Sequence, residues 1–194
     1  MARPRINSPD HVLEKGMRLF WKSGYEATSM SQLVEATGST RQTIYRDFES
    51  KHRFYARCFG LYHDRVVAPA LKPFGATEQG LNAIAEYFEL QIVLAERMGL
   101  PGPGCLVGNA MTEIAPNDPE IAALVKDHNH RLELAFASAL PSSMTEERRQ
   151  QLSEFLVLSA QGLWAMSRIT SSADELRKRA ATIMSLISKE TEDA

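Results

Sequence analysis

At 194 residues the chain makes one large domain or two small ones, and a formal net charge of −2 with a pI near 6.2 excludes a protein that coats polyanions by bulk charge. No apolar run is long enough to span a membrane and the N-terminus lacks the apolar centre of a secretion signal, so a cytoplasmic protein without membrane partners is expected. Cys58 and Cys105 form neither a disulfide framework nor a metal-ligand spacing, and no metal or cofactor is expected.

The first predicted element starts at Ser8-Pro9-Asp10, with proline in the opening turn of a helix. Val12, Leu13, Gly16, Met17, Phe20 and Trp21 then recur at helical spacing up to a stop at Gly24. Ser29 with Gln32 three places on is a capping box, and Met30, Leu33 and Val34 share one face of the helix it opens. Gly38 can take the left-handed conformation that closes a helix, so this one should stop at about Thr37. Thr40 caps a second short helix in which Ile44 and Phe48 point inward, Gln42, Thr43 and Arg46 point away, and Tyr45 sits on the flank.

Two short helices across a glycine turn, at about residues 29–48, have the layout of a helix-turn-helix. Neither can stand alone, and the outward face carries guanidinium, amide, hydroxyl and phenol groups suited to base edges and phosphates. Up to Arg57, ten Lys plus Arg stand against six Asp plus Glu, whereas the remainder holds twelve against eighteen. The basic excess therefore lies where phosphates would be met.

Downstream the chain is helical almost throughout. Lys51 to about Val67 predicts a connecting helix ended by Pro69, Pro73 and Gly75. The next helix is expected to start at Thr77, to turn Leu81, Ile84, Ala85, Phe88, Ile92 and Ala95 inward, and to end near Met98. Gly99-Leu-Pro-Gly-Pro-Gly104 can neither continue a helix nor pair as a strand, and suits a loop at the edge of a cavity. A short helix from Cys105 to Ala115 follows. Asp118 then caps a helix opening at Pro119, whose buried face is Ile121, Leu124, Val125, His128, Leu132, Ala135 and Phe136.

Thr145-Glu146-Glu147 opens a helix reaching about Ile169 that carries two apolar stripes. Leu152, Leu156 and Leu163 form one; Phe155, Leu158, Gly162, Ala165 and Ile169 form the other. The last helix brings Leu176, Ala180, Ile183 and Ile187 to the same region. One stripe can face the subunit's own core, and a two-fold dimer through a four-helix interface would bury the second; packing on the subunit's own helices is the alternative. The fold class is all-α.

Gly24-Tyr25, Thr28-Ser29, Gly38, Thr43-Ile44-Tyr45, Phe48 and Ser50-Lys51 resemble the N-terminal domain of TetR-family transcriptional regulators, over roughly the first 60 residues. The resemblance implies a three-helix DNA-binding domain over residues 1–60 and a larger helical ligand-binding and dimerisation domain over 61–194. It further implies a homodimer joined through the last two helices, bound to double-stranded DNA at a near-palindromic operator. It implies a repressor released when a small-molecule inducer moves the connecting helix. The family's DNA-contact positions carry over onto Thr28, Ser29, Ser39, Thr40, Arg41, Gln42, Thr43, Tyr45, Arg46 and Lys51. The family commonly has a small residue at Gln42, an aromatic or histidine near Arg46 and Asp47, and proline at Glu49, so a changed reading face implies a changed operator.

Lys51, after Ser50 at a helix start, suits a phosphate or is an ordinary solvated lysine; Arg41, Gln42 and Arg46 suit base edges or phosphates. Arg3 and Arg5 suit a minor-groove arm or a tail. Tyr87, Phe88, Gln91, Met98, Met111, His128, Trp164 and Met166 are residue types that line an apolar pocket and equally types that fill a core. Cys105 resembles a position at which some family members sense electrophiles or oxidants. A helix N-terminus there would lower its pKa, whereas a buried thiol is a small hydrophobe. His128 and His130, two apart, project to different sides and make no metal pair. An enzyme pairing Cys105 with His128 would leave the reading segment unexplained, and a helical adaptor would bind without salt dependence on DNA.

Overall fold

The computed structural model describes residues 8–75 and 80–192, and its described residues are helical with no strand. Arg3, Arg5 and Thr77 lie outside them. The N-terminal unit packs α1 (Pro9–Ser23) across α2 (Met30–Thr37) and against α4 (Lys51–Tyr62), with α3 (Arg41–Phe48) between α2 and α4. Its centre is aromatic: the Phe20 ring meets Phe54 and Tyr55 edge-on at 5.9 and 5.0 Å, and Phe48 stacks on Phe54 at 4.1 Å.

The connecting helix does not end at Pro69. α4 runs through a π-helical turn, His63–Val67, into α5 (Ala68–Leu71) and a 3-10 turn, Lys72–Gly75. Pro69 lacks an N–H and its ring would strike a carbonyl of a regular helix; the wider π spacing just before it accommodates both problems. The boundary expected at residue 60 therefore falls inside an unbroken helical run.

The larger unit contains α6 (Leu81–Met98), α7 (Leu106–Glu113), α8 (Pro119–Ala139), α9 (Glu146–Met166) and α10 (Ala173–Glu192). α6 buries Ala83, Ile84, Tyr87, Phe88 and Ile92, while Ala85, expected inside, is exposed. α9 stops at Met166 rather than Ile169, where the Ser167 hydroxyl donates to the Trp164 carbonyl at 2.7 Å. Its two stripes separate as expected: Leu152, Leu156 and Leu163 are buried, whereas Phe155, Leu158, Gly162, Ala165 and Ile169 are exposed.

α10 corrects the expected interface. Leu176, Ala180 and Ile187 are buried within the subunit and Ile183 packs half-buried on the same core, because α10 lies against α6 and α9 of its own chain. Arg177 fixes that placement by binding Glu89 and Glu96 of α6 at 3.0 and 3.1 Å. The exposed large apolar side chain among the described residues of α10 is Leu186, which shares a surface groove with Phe155.

Candidate functional site

The reading helix is held by short-range polar contacts. Ser29 Oγ accepts from the Gln32 N–H at 3.2 Å while Gln32 Oε1 accepts from the Ser29 N–H at 2.7 Å, the full capping box. Gly38 closes α2 at φ +67°, and Thr40 Oγ1 accepts from the Thr43 N–H at 3.1 Å to open α3. Ile44 and Phe48 are buried, leaving Arg41, Gln42, Tyr45 and Arg46 exposed and Thr43 half-buried on one outward face.

Two carried-over positions are corrected. Thr28 is fully buried and its hydroxyl donates to the Gly24 carbonyl at 2.6 Å; Ser39 is buried with no partner for its hydroxyl among the described residues. Both side chains shape the turns around α2 instead of facing outward, since residues beside a tight turn are drawn against the helices it joins. Ser29, Thr40 and half-buried Lys51 remain at the edge of the exposed face. Lys51 Nζ sits over the Tyr25 ring, 4.1 Å from its centroid, and burial lowers its pKa against the opposing pull of Glu26 and Glu113.

Asp47, where the resemblance has an aromatic or histidine, accepts both forks of Arg46 at 2.7 and 3.1 Å. That pair holds the Asp47 carboxyl below the usual carboxylate range. Arg57 donates to the Asp47 carbonyl at 3.0 Å and lies over Phe48. Glu49 follows at φ +67° and ψ −49°, with the Ser50 N–H bonded to the Phe48 carbonyl at 2.7 Å: a strained γ-turn that proline could not adopt.

In the larger unit Tyr87, Gln91, Met98, Cys105, His128 and Trp164 do converge on one cavity, joined by Trp21 of α1 and Tyr62 of α4. It has about 20 Å³, room for roughly one water. Phe88, Met111 and Met166 do not line it: Phe88 is core, Met111 is exposed, and Met166 sits half-buried at the end of α9. Trp21 and Tyr62 escaped sequence reasoning because one was read as core of the DNA-binding unit and the other lay in the connecting helix, and only the fold turns their rings this way.

Cys105 caps α7, accepting from the Gly108 N–H at 3.4 Å and from the Tyr62 hydroxyl at 3.6 Å. Of the two readings of this thiol, the buried small hydrophobe is the one the structure favours: burial raises its pKa, and the helix N–H contacts recover only part of the rise. A thiol kept protonated is a poor nucleophile, which argues against the sensing role. His128 makes no hydrogen bond among the described residues, so no Cys105–His128 couple forms. Burial first, then His63 and Arg131, depresses its pKa to about 4.

The family model described as bacterial regulatory proteins, tetR family, matches residues 12–58. The whole chain is similar to the HTH-type transcriptional repressor ComR of Escherichia coli strain K12, 30% identical over 192 residues that cover 95% of this chain and 91% of that protein. The chain belongs to the TetR family. Its fold is that of family members solved at lower identity. One is the TetR regulator of Legionella pneumophila, at TM-score 0.81 and 16% identity over 98% of this chain and 100% of that one. Another is the cysteine mutant of CifR complexed with 26-bp double-strand operator DNA, at TM-score 0.79 and 20% identity over 94% and 98%. This TetR-family chain is a DNA-binding transcriptional regulator, and no helix among its described residues is long and apolar enough to cross a membrane.

Within this TetR-family fold, α7 joins the cavity to the reader. Its cap, Cys105, lines the cavity; its last residue, Glu113, accepts the backbone N–H groups of Tyr25 and Glu26 at 3.0 and 2.9 Å, in the turn between α1 and α2. Trp21 Nε1 donates to the Gly104 carbonyl at 2.8 Å, tying the loop before α7 to α1, and Asn109 Nδ2 donates to the Pro103 carbonyl at 2.8 Å, tying the same loop to α7. A second tie runs from His52 and Arg53 of α4 to Asp118 and Glu120 at the start of α8, at 2.6 and 2.8 Å.

Proposed function

We propose that the chain is a cytoplasmic repressor that binds a near-palindromic operator as a two-fold homodimer and leaves it when a small molecule occupies the larger domain. Arg41, Gln42, Tyr45 and Arg46 supply the contacts to base edges and phosphates, with Thr43 beside them, and Ser29, Thr40 and Lys51 meet the flanking backbone. Arg46 reaches DNA by exchanging Asp47 for a phosphate or a guanine edge. Relatives named as repressors, one fold relative solved on operator DNA, and the basic balance of the first 57 residues support this reading.

The dimer would use the exposed stripe of α9, Phe155, Leu158, Gly162, Ala165 and Ile169, with Leu186 of α10. Leu158 and Ile169 are 72% and 74% exposed, an apolar face that a second copy would cover. The observation that carries ligand control is α7, one rigid helix with its cap in the cavity wall and its last carboxylate on the reader. An inducer that prefers a widened cavity shifts α7 and with it the turn at Tyr25, so it binds the conformation that DNA disfavours.

The test is selection of bound fragments from random or genomic DNA, followed by the affinity of the winner as salt rises. A near-palindromic winner bound by two chains, with affinity falling steeply in salt, is the expected result. Lys51→Ala should weaken binding to all sequences alike and lower the salt slope by about one. An asymmetric winner bound by one chain would overturn the dimer, and no enrichment from chain stripped of small molecules would overturn the reader.

A further inference from the structure

Beside the inner cavity lies a groove of about 740 Å³, between α1, the π-helical turn and the loop after α6. That volume falls within the ~300–1,000 Å³ of small-molecule sites, whereas the inner cavity admits little more than a water. Trp21 and Met98 line both spaces, so the indole that anchors Gly104 is the wall between them. The floor of the groove is apolar, from Met17, Val66, Leu94 and four residues of the glycine- and proline-loop, Gly99, Pro101, Gly102 and Pro103.

The rim is cationic. Arg18, Lys22 and Arg65 stand there with one carboxylate, Glu14. Glu14 occupies Arg18 at 2.9 Å, while Lys22 and Arg65 hold no carboxylate among the described residues. Two unspent cations over an apolar floor complement a molecule with one negative head and an apolar body, and Glu14 at the same rim disfavours a more highly charged anion.

We propose that this groove binds an amphipathic monocarboxylate, its head on Lys22 and Arg65 and its body against Trp21, Val66, Leu94 and Met98. This rests on the reading above that a small molecule controls the reader, names the ligand class, and seats the ligand in the groove outside Trp21 in place of the inner cavity. Because α1 forms one wall and the α6–α7 loop the other, a body wedged between them would strain the Trp21–Gly104 bond and pull the loop before α7 away from the reader.

The test is calorimetry of the full chain with decanoate, decanol and decylammonium, on the natural sequence and on the double variant Lys22→Gln, Arg65→Gln. Both substituted side chains are exposed, so folding should survive. Decanoate should bind about tenfold tighter than decanol, and the double variant should remove that preference while leaving decanol unchanged. Decanol or decylammonium binding as tightly as decanoate, decanoate binding unchanged in the double variant, or no binding of decanoate would each overturn the site. So would a loss of operator affinity in the double variant without any ligand, since the two cations would then serve DNA phosphates. Operator release is read separately: decanoate that binds as described and leaves the operator complex intact would overturn ligand control while sparing the groove.

Discussion

The turn that closes α2 and the turn that closes α1 both rest on a glycine with positive φ, yet they are held by different means. Gly38, at φ +67°, has nothing within 4 Å of where a Cβ would stand, and it lies between the caps of α2 and α3, whose hydrogen bonds span three or four residues. Gly24, at φ +85°, lies where a Cβ would come within 2.8 Å of Glu113 Oε1, a carboxylate bonded across 88 residues to the Tyr25 N–H. The reader is organised by its own neighbours in sequence; its attachment to the rest of the molecule is organised by partners far along the chain. A locally built reader can move as a unit, which is what a controlled reader requires.

The sharpest way to break this comparison is to put a methyl at each glycine. Gly24→Ala meets both the Glu113 carboxylate and a backbone region that belongs to glycine, φ +85° with ψ 173°, and should cost about 3 kcal/mol or more in urea unfolding. Gly38→Ala has open space and should cost only about 1 kcal/mol, the left-handed penalty alone. Equal losses would mean that Glu113 yields freely and that the long-range contact is weak.

Protonation tests the distant half through one buried histidine. His128 has a folded pKa of about 4 against about 6.5 in the unfolded chain, so between those values the unfolded state takes up a proton that the native state refuses. Its contribution is fully present above pH 6.5 and is lost as pH falls through about 4, to the extent of about 3 kcal/mol. His128→Gln should flatten stability against pH across that window; an unaltered slope would assign the acid sensitivity elsewhere.

Glu113→Gln keeps the shape but turns one of the two accepting oxygens into an NH2 donor, so one backbone hydrogen bond is lost and the other loses its charge. Stability should fall by about 2 kcal/mol, and operator affinity should become less sensitive to whatever ligand releases the parent chain. Full ligand response in this variant would move the coupling to the His52–Asp118 tie. The smallest effect sharpens the local side. Glu49→Gly removes the cost of φ +67° in a residue with a Cβ and should stabilise the reader by about 1 kcal/mol, measured by thermal unfolding.

The same division explains what could be read ahead of the structure. Ser8, Ser29, Thr40, Asp118 and Thr145 cap the helices expected of them, because a cap is a contact across three residues and its chemistry is written in those residues. Pro69 misled because a π-helical turn upstream is a response to packing that no local pattern announces. Leu176, Ala180 and Ile187 misled because helical spacing says that a stripe is apolar without saying which surface covers it. Thr28 and Ser39 misled because carrying a contact across by position says nothing of whether the side chain faces outward.

Sequence alone determined the all-α class, the two short reading helices with their caps, the basic excess around them, and the two stripes of α9, since each depends on spacing within a few turns of one helix. Tertiary structure alone decided that Trp21 and Tyr62 wall the cavity, that Cys105 is buried with a raised pKa, and that Glu113 grips the reader. Those outcomes turn on desolvation and on contacts between groups dozens of residues apart, quantities that exist only once the helices have packed.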